Sequence, residues 1–69
     1  MVEVFKTNVR RTREAKIIIQ KLAEQFPDCK VNFDLSDRDK ILRVQGKIIL
    51  ESKIISIVTA LNYTCNILE

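Results

Sequence analysis

One stretch of the chain alternates between apolar and polar side chains, and this pattern restricts the fold more than any other feature. It runs from Cys29 to Leu35. Successive side chains of a β-strand point to opposite faces of its sheet, so the alternation predicts a strand with one buried and one solvated face. Sheets of this kind are typically antiparallel. The apolar row is Cys29, Val31, Phe33 and Leu35, and the polar row is Lys30, Asn32 and Asp34.

A polar turn and a second strand follow this segment. Ser36 to Asp39 consists of residues that favour turns. Lys40 to Gln45 then alternates again, with Leu42 and Val44 expected to face inward, and Gly46 ends the strand. The two strands therefore predict a β-hairpin.

Two amphipathic helices flank the hairpin. The first is predicted from Thr12 to Phe26, because Pro27 disfavours a helical conformation in the residue before it. Asn8 or Thr12 is expected to cap its start. The second is predicted from Glu51 or Ser52 to Leu61, with Asn62 in the left-handed conformation that ends many helices. The apolar stripes have helical spacing and comprise Ala15, Ile18, Ile19, Leu22 and Phe26 in the first helix and Ile54, Ile55, Val58 and Leu61 in the second.

Short terminal strands, Met1 to Lys6 and Thr64 to Leu68, complete the pattern βαββαβ. This order predicts an α+β domain of the ferredoxin-like type over residues 1–69, with a four-stranded antiparallel sheet and two helices on one face. The expected strand order is 4-1-3-2. Cys29 and Cys65 would then lie on opposite edge strands, so we expect two unpaired structural thiols rather than a disulfide or a shared metal.

The closing segment, Ile57 to Cys65, resembles the end of heavy-metal-associated domains of the copper-chaperone type. Members of that family bind soft metals through Met-x-Cys-x-x-Cys between the first strand and the first helix. The corresponding region here, Thr7 to Glu14, contains no Cys, and none occurs before Cys29. The resemblance therefore implies the fold of a degenerate member that lacks the metal-binding motif. We expect no metal site and no cofactor.

Composition argues against several classes of function. The chain has no His, which removes the commonest general base and a frequent metal ligand, so we expect no catalytic residues. Twelve basic and nine acidic residues give a net charge of +3, too mild for a dedicated nucleic-acid binder. The predicted third strand also lacks the aromatic residues that stack on RNA bases.

Apolar runs are too short to span a bilayer, and the N-terminus does not resemble a signal peptide. Two cysteines make a weak disulfide framework, so a cytoplasmic location is expected.

Asp34, Asp37 and Asp39 suit a turn better than a calcium loop, because the glycine and glutamate of an EF-hand are missing. Ile17, Ile49 and Ile57 lie off the helical stripes and are expected at the surface, either scattered or as a contact patch.

One segment suggests a binding site. Arg10, Arg11, Arg13 and Lys16 surround the start of the first helix with only Glu14 opposing them, although a helix N-terminus favours negative charge. Together with Asn8, these arginines are the candidate contacts for an anionic ligand or a partner protein. A solvated basic loop is the alternative.

We therefore expect a non-catalytic binding or interaction domain on a scaffold that has lost its metal. Two other functions remain open at this point. One is heavy-metal trafficking through ligands other than the family motif. The other is a small regulatory ligand-binding module, similar to ACT domains, that acts as a weak homodimer.

Overall fold

Four strands and two helices form the structure, a computed structural model that describes residues 1–69. In chain order they are β1 (Val2–Thr7), α1 (Thr12–Gln25), β2 (Lys30–Asp34), β3 (Ile41–Gln45), α2 (Glu51–Ala60) and β4 (Cys65–Ile67). Every strand pair is antiparallel, and the order across the sheet is β2-β3-β1-β4. This is the ferredoxin-like α+β fold, and the predicted order 4-1-3-2 is confirmed, read from the opposite edge.

The register of the two central strands decides which face of the sheet is buried. Phe5 of β1 pairs with Leu42 of β3, and Glu3 pairs with Val44. Phe5, Leu42 and Val44 are buried, whereas Val4 on the other face of β1 is only partly covered. Leu42 and Val44 therefore face inward as predicted.

Both helices cover this same face. Ala15, Ile18 and Leu22 of α1 and Ile54 and Val58 of α2 belong to one core cluster with the inward side chains of the sheet. Full burial of an aliphatic side chain of this size contributes about 1.5–3 kcal/mol. The two stripes therefore hold the helices on the sheet.

Two of the apolar residues off the stripes lie inside rather than at the surface. Ile49 precedes α2, is buried and packs in the core cluster, so its predicted exposure is wrong. Ile57 is partly buried and packs against the same cluster. Ile17 is exposed, as predicted. A helical stripe could not identify Ile49, because this residue lies in the connection before the helix.

The start of α1 differs from the prediction. Its N-cap residue is Arg11, whose own side chain does not cap the first turn, while the Glu14 carboxylate accepts a hydrogen bond from the Arg11 N–H. A guanidinium has no hydrogen-bond acceptor, so Arg11 cannot take that role. Asn8 does not cap the helix, because its side-chain oxygen accepts a hydrogen bond from the Thr64 N–H instead, and Thr12 already belongs to the helix. Both predicted caps are therefore wrong.

The helix ends agree with the sequence. Helix α1 stops at Gln25, directly before Phe26 and Pro27, and the Phe26 N–H donates to the Leu22 carbonyl at 2.8 Å. After α2, Asn62 has a φ of 73°, which confirms its left-handed conformation. Few residues besides glycine adopt this conformation readily, and asparagine is one of them.

Asn62 gives a test of this helix ending. We expect Asn62→Ala to lower the free energy of unfolding by about 1 kcal/mol, because a Cβ without a compensating polar group is strained at positive φ. Asn62→Gly should be at least as stable as the wild type. Urea unfolding of the three proteins measures the difference, and equal stability of the alanine and glycine variants would contradict the assignment.

Candidate binding site at the start of helix α1

The connection between β1 and α1 presents the arginines predicted from the sequence. Arg10, Arg11 and Arg13 are all exposed. Val9, between them and β1, is completely buried in the core cluster. The buried valine anchors the connection while the guanidinium groups remain in solvent. The structure therefore places three exposed arginines on the connection and in the first turn of α1.

Hydrogen bonds fix the backbone at Asn8 and Val9. The Asn8 side-chain oxygen accepts a bond of 2.9 Å from the Thr64 N–H, which ties the β1–α1 connection to the turn before β4. The Val9 N–H donates to the Thr7 hydroxyl oxygen at 3.2 Å, and that hydroxyl donates to the Lys40 carbonyl. Asn8 thus positions the connection, and its oxygen already has a partner.

The one carboxylate in this segment is engaged within the protein. Glu14 Oε1 accepts a bond of 3.3 Å from the Arg11 backbone N–H, and Oε2 accepts one of 2.9 Å from the Tyr63 hydroxyl. The bond to Glu14 raises the pKa of Tyr63, because the phenol must stay protonated to donate it. Sequence reasoning missed Tyr63, which lies 49 residues away along the chain.

None of the three arginines has an acidic partner. The only ion pair within 4.0 Å joins Lys6 and Asp39, at 3.8 Å. The backbone N–H groups of Thr12 and Arg13, in the first turn of α1, also have no acceptor. Guanidinium groups bind carboxylates and phosphates through paired N–H donors, and a helix N-terminus adds positive potential. The arrangement can therefore bind an anion.

The two cysteines lie apart from each other, and only Cys65 is near this connection, because it pairs with Thr7 at the end of β1. Cys29 precedes β2 at one edge of the sheet and Cys65 begins β4 at the other, and both are free thiols, as predicted. No three His, Cys, Asp or Glu side chains gather in a group that could hold a metal ion. Cys29 Sγ lies close to Gly46, where an added Cβ would approach the sulfur to 2.7 Å. Cys29 thus packs against a glycine.

Burial raises the pKa of the Cys65 thiol to about 11. The structural roles predicted for both thiols agree with these surroundings, since Cys65 belongs to the core cluster and Cys29 packs against it.

Comparison with known proteins gives no match to a protein-family model, to a curated protein or to a solved structure. Neither helix has the length and apolar character needed to cross a membrane.

The hydrogen bond from Thr64 to Asn8 can be tested directly. We expect Asn8→Ala to lower the free energy of unfolding by about 1 kcal/mol, because the Thr64 N–H loses its acceptor. Asn8→Asp should retain wild-type stability, because a carboxylate oxygen accepts the same bond. Urea unfolding measures both variants. If Asn8→Ala and Asn8→Asp have the same free energy of unfolding, the bond between Asn8 and Thr64 does not hold the connection in place.

The burial of Cys65 predicts a pH dependence of stability. The folded state keeps this thiol neutral up to about pH 11, whereas in the unfolded chain it ionises from its ordinary pKa of 9.0. Its contribution to stability is therefore fully present below pH 9.0 and is lost as the pH rises through 11.

We expect the free energy of unfolding of the wild type to fall more steeply over this pH range than that of Cys65→Ala. Cys29→Ala is the matched control and should retain the wild-type slope. Denaturant unfolding at several pH values compares the three proteins. Identical slopes for all three would contradict the burial of the Cys65 thiol.

Proposed function

We propose that this chain is a non-catalytic binding domain that recognises an acidic ligand, most simply an acidic segment of a partner protein, through the start of α1. One observation carries this proposal. Arg10, Arg11 and Arg13 are exposed and unpaired, while Glu14, the one carboxylate that could neutralise them, is engaged by Tyr63. An incoming carboxylate or phosphate can therefore pair with these guanidinium groups without breaking an existing ion pair.

The backbone at this end of the molecule is already organised for binding. The buried Val9 side chain and the bond between Asn8 and Thr64 hold the connection that carries Arg10 and Arg11. Arg13 lies in the first turn of α1 and is fixed by the helix. A preorganised site loses less conformational entropy on binding than a flexible loop does.

The resemblance to heavy-metal-associated domains fits the same proposal. In that family the connection between the first strand and the first helix carries the metal ligands. Here arginines occupy this region, and they repel metal cations and attract anions. We propose that the chain is a degenerate relative whose binding site kept its position and changed its chemistry. The two free thiols agree with a reducing, cytoplasmic environment.

Titration with an anion tests this function. We expect a short acidic peptide, and more weakly inorganic phosphate, to shift the NMR signals of residues 8–13 first. Replacement of Arg10, Arg11 and Arg13 by Gln should weaken binding about tenfold or more, since each exposed charge pair contributes up to about 1 kcal/mol. Binding should also weaken as salt is added.

The matched control replaces Lys21, Lys47 and Lys53 by Gln, which removes the same charge from exposed positions elsewhere. This variant should bind the peptide nearly as well as the wild type. Signal shifts spread evenly over the surface, or an equal loss in both triple variants, would show that only net charge matters and would refute a site at α1.

A further inference from the structure

Strand β2 is an edge of the sheet, and its unpaired backbone groups can be identified from the hydrogen bonds of its neighbours. Met1 and Gly46 exchange two bonds, one from each backbone nitrogen to the other's carbonyl, at 2.8 and 3.0 Å. In an antiparallel pair, such doubly bonded residues alternate with residues whose backbone groups point the other way. On β3, Val44 therefore bonds to β1, whereas Gln45 and Arg43 bond to β2.

The free groups on β2 follow from its register with β3. Lys30 and Asn32 pair with Gln45 and Arg43, so the N–H and C=O groups of Lys30 and Asn32 point into the sheet. Those of Val31 and Phe33 point outward, where no strand lies beside them. Backbone groups of this kind are a template for an additional strand.

At both ends of this edge, outward backbone groups already have hydrogen-bond partners within the chain, whereas those in the middle have none. The Cys29 N–H donates to the Phe26 carbonyl at 3.0 Å, and the Lys40 ammonium donates to the Leu35 carbonyl at 2.9 Å. Between these points a surface groove of about 370 Å³ lies between α1 and β2, and its walls include Ile19 and Phe33. Helix α1 therefore leaves the edge accessible.

The sequence of β2 is complementary to itself in antiparallel orientation. A twofold axis through Asn32 sets Val31 opposite Phe33 of a second copy, and sets Lys30 opposite Asp34 at each end. The two Val31–Phe33 pairs would exchange four backbone hydrogen bonds, because these are the residues with outward groups. If the axis passes through Val31 or Phe33 instead, a charged side chain lies opposite Asn32 and the charge pairing is lost.

The charged side chains are available for such pairing. Neither Lys30 nor Asp34 takes part in an ion pair, and both are exposed on the face of the sheet that the helices leave open. The Ser36 hydroxyl donates to Asp34 at 2.6 Å, and this bond lowers the pKa of Asp34 and keeps it ionised.

We propose that the β2 edge binds the β2 edge of a second copy of this chain, forming a weak twofold dimer with a continuous eight-stranded sheet. Unlike charges opposite each other stabilise a strand pair and like charges destabilise it, so Lys30 and Asp34 set the register. This interface does not include the arginines at the start of α1. Dimer formation and anion binding can therefore be lost independently.

Reversing the charge of Lys30 or of Asp34 tests whether the dimer forms through β2. Sedimentation velocity on the wild type up to about 1 mM, a range that detects weak association, should show a dimer that forms with rising concentration. Lys30→Asp and Asp34→Lys should each weaken it about tenfold or more, because both charge pairs become repulsive. An equimolar mixture of the two variants should form a heterodimer, because unlike charges then face each other at both ends.

Matched controls are Lys53→Asp and Glu69→Lys, which make the same charge changes at exposed positions away from β2. Both should dimerise as the wild type does, and so should the triple arginine variant. Lys30→Asp leaves the bond between Asp34 and Ser36 in place, so it is informative even if Asp34→Lys does not fold. Three results would overturn the proposal. The wild type could stay monomeric, or Lys30→Asp could dimerise as strongly as Lys53→Asp. The third is that the two charge variants fold but do not associate when they are mixed.

Discussion

The contact of both helices with a single face of the sheet is the interaction on which the rest of this structure depends. Phe5 and Leu42, paired at the centre of the sheet, are completely buried beneath Ile18 of α1 and Ile54 of α2. A chain of this length buries a small core, so it cannot cover the second face of the sheet as well. Apart from the buried Ile41, that face is largely left to solvent, and β2 and β4 each have one side without a neighbouring strand. The surfaces available for binding are consequences of this one-sided packing.

The candidate site at α1 shows how sheet topology controls local charge. Strands β1 and β4 are neighbours, so the end of β1 meets the turn that precedes β4. This proximity brings Thr64 to Asn8 and Tyr63 to Glu14. Both oxygens of Glu14 accept hydrogen bonds, one from the Tyr63 hydroxyl and one from the Arg11 backbone N–H, and Glu14 forms no ion pair with the nearby arginines. The hydrogen bond between Tyr63 and Glu14 thus connects distant parts of the fold, while the arginines at the start of α1 have no acidic partner.

Periodicity predicted the elements well because it is a local property of the chain. The alternation around Phe33 and the stripes through Ile18 and Ile54 identified strands and helices whose bounds differ from the structure by at most one residue at each end. The predictions that proved wrong concern contacts outside these repeats. Ile49 is buried although it lies in a connection, and Asn8 bonds to a distant backbone group instead of capping the adjacent helix. Neither the burial of Ile49 nor the hydrogen bond of Asn8 follows from a pattern of residues at helical or strand spacing.

The sequence by itself determined the order of the elements, most of the helix and strand side chains that face the core, and the presence of arginines where α1 begins. Each of these depends on residues close together in the chain. Only the tertiary structure decided that Glu14 is engaged by Tyr63 and that Val31 and Phe33 direct their backbone groups away from the sheet. Side-chain pattern tells which face a residue occupies, but the direction of its N–H and C=O depends on the register with the neighbouring strand. That register is fixed by packing between segments far apart in sequence, which no local pattern records.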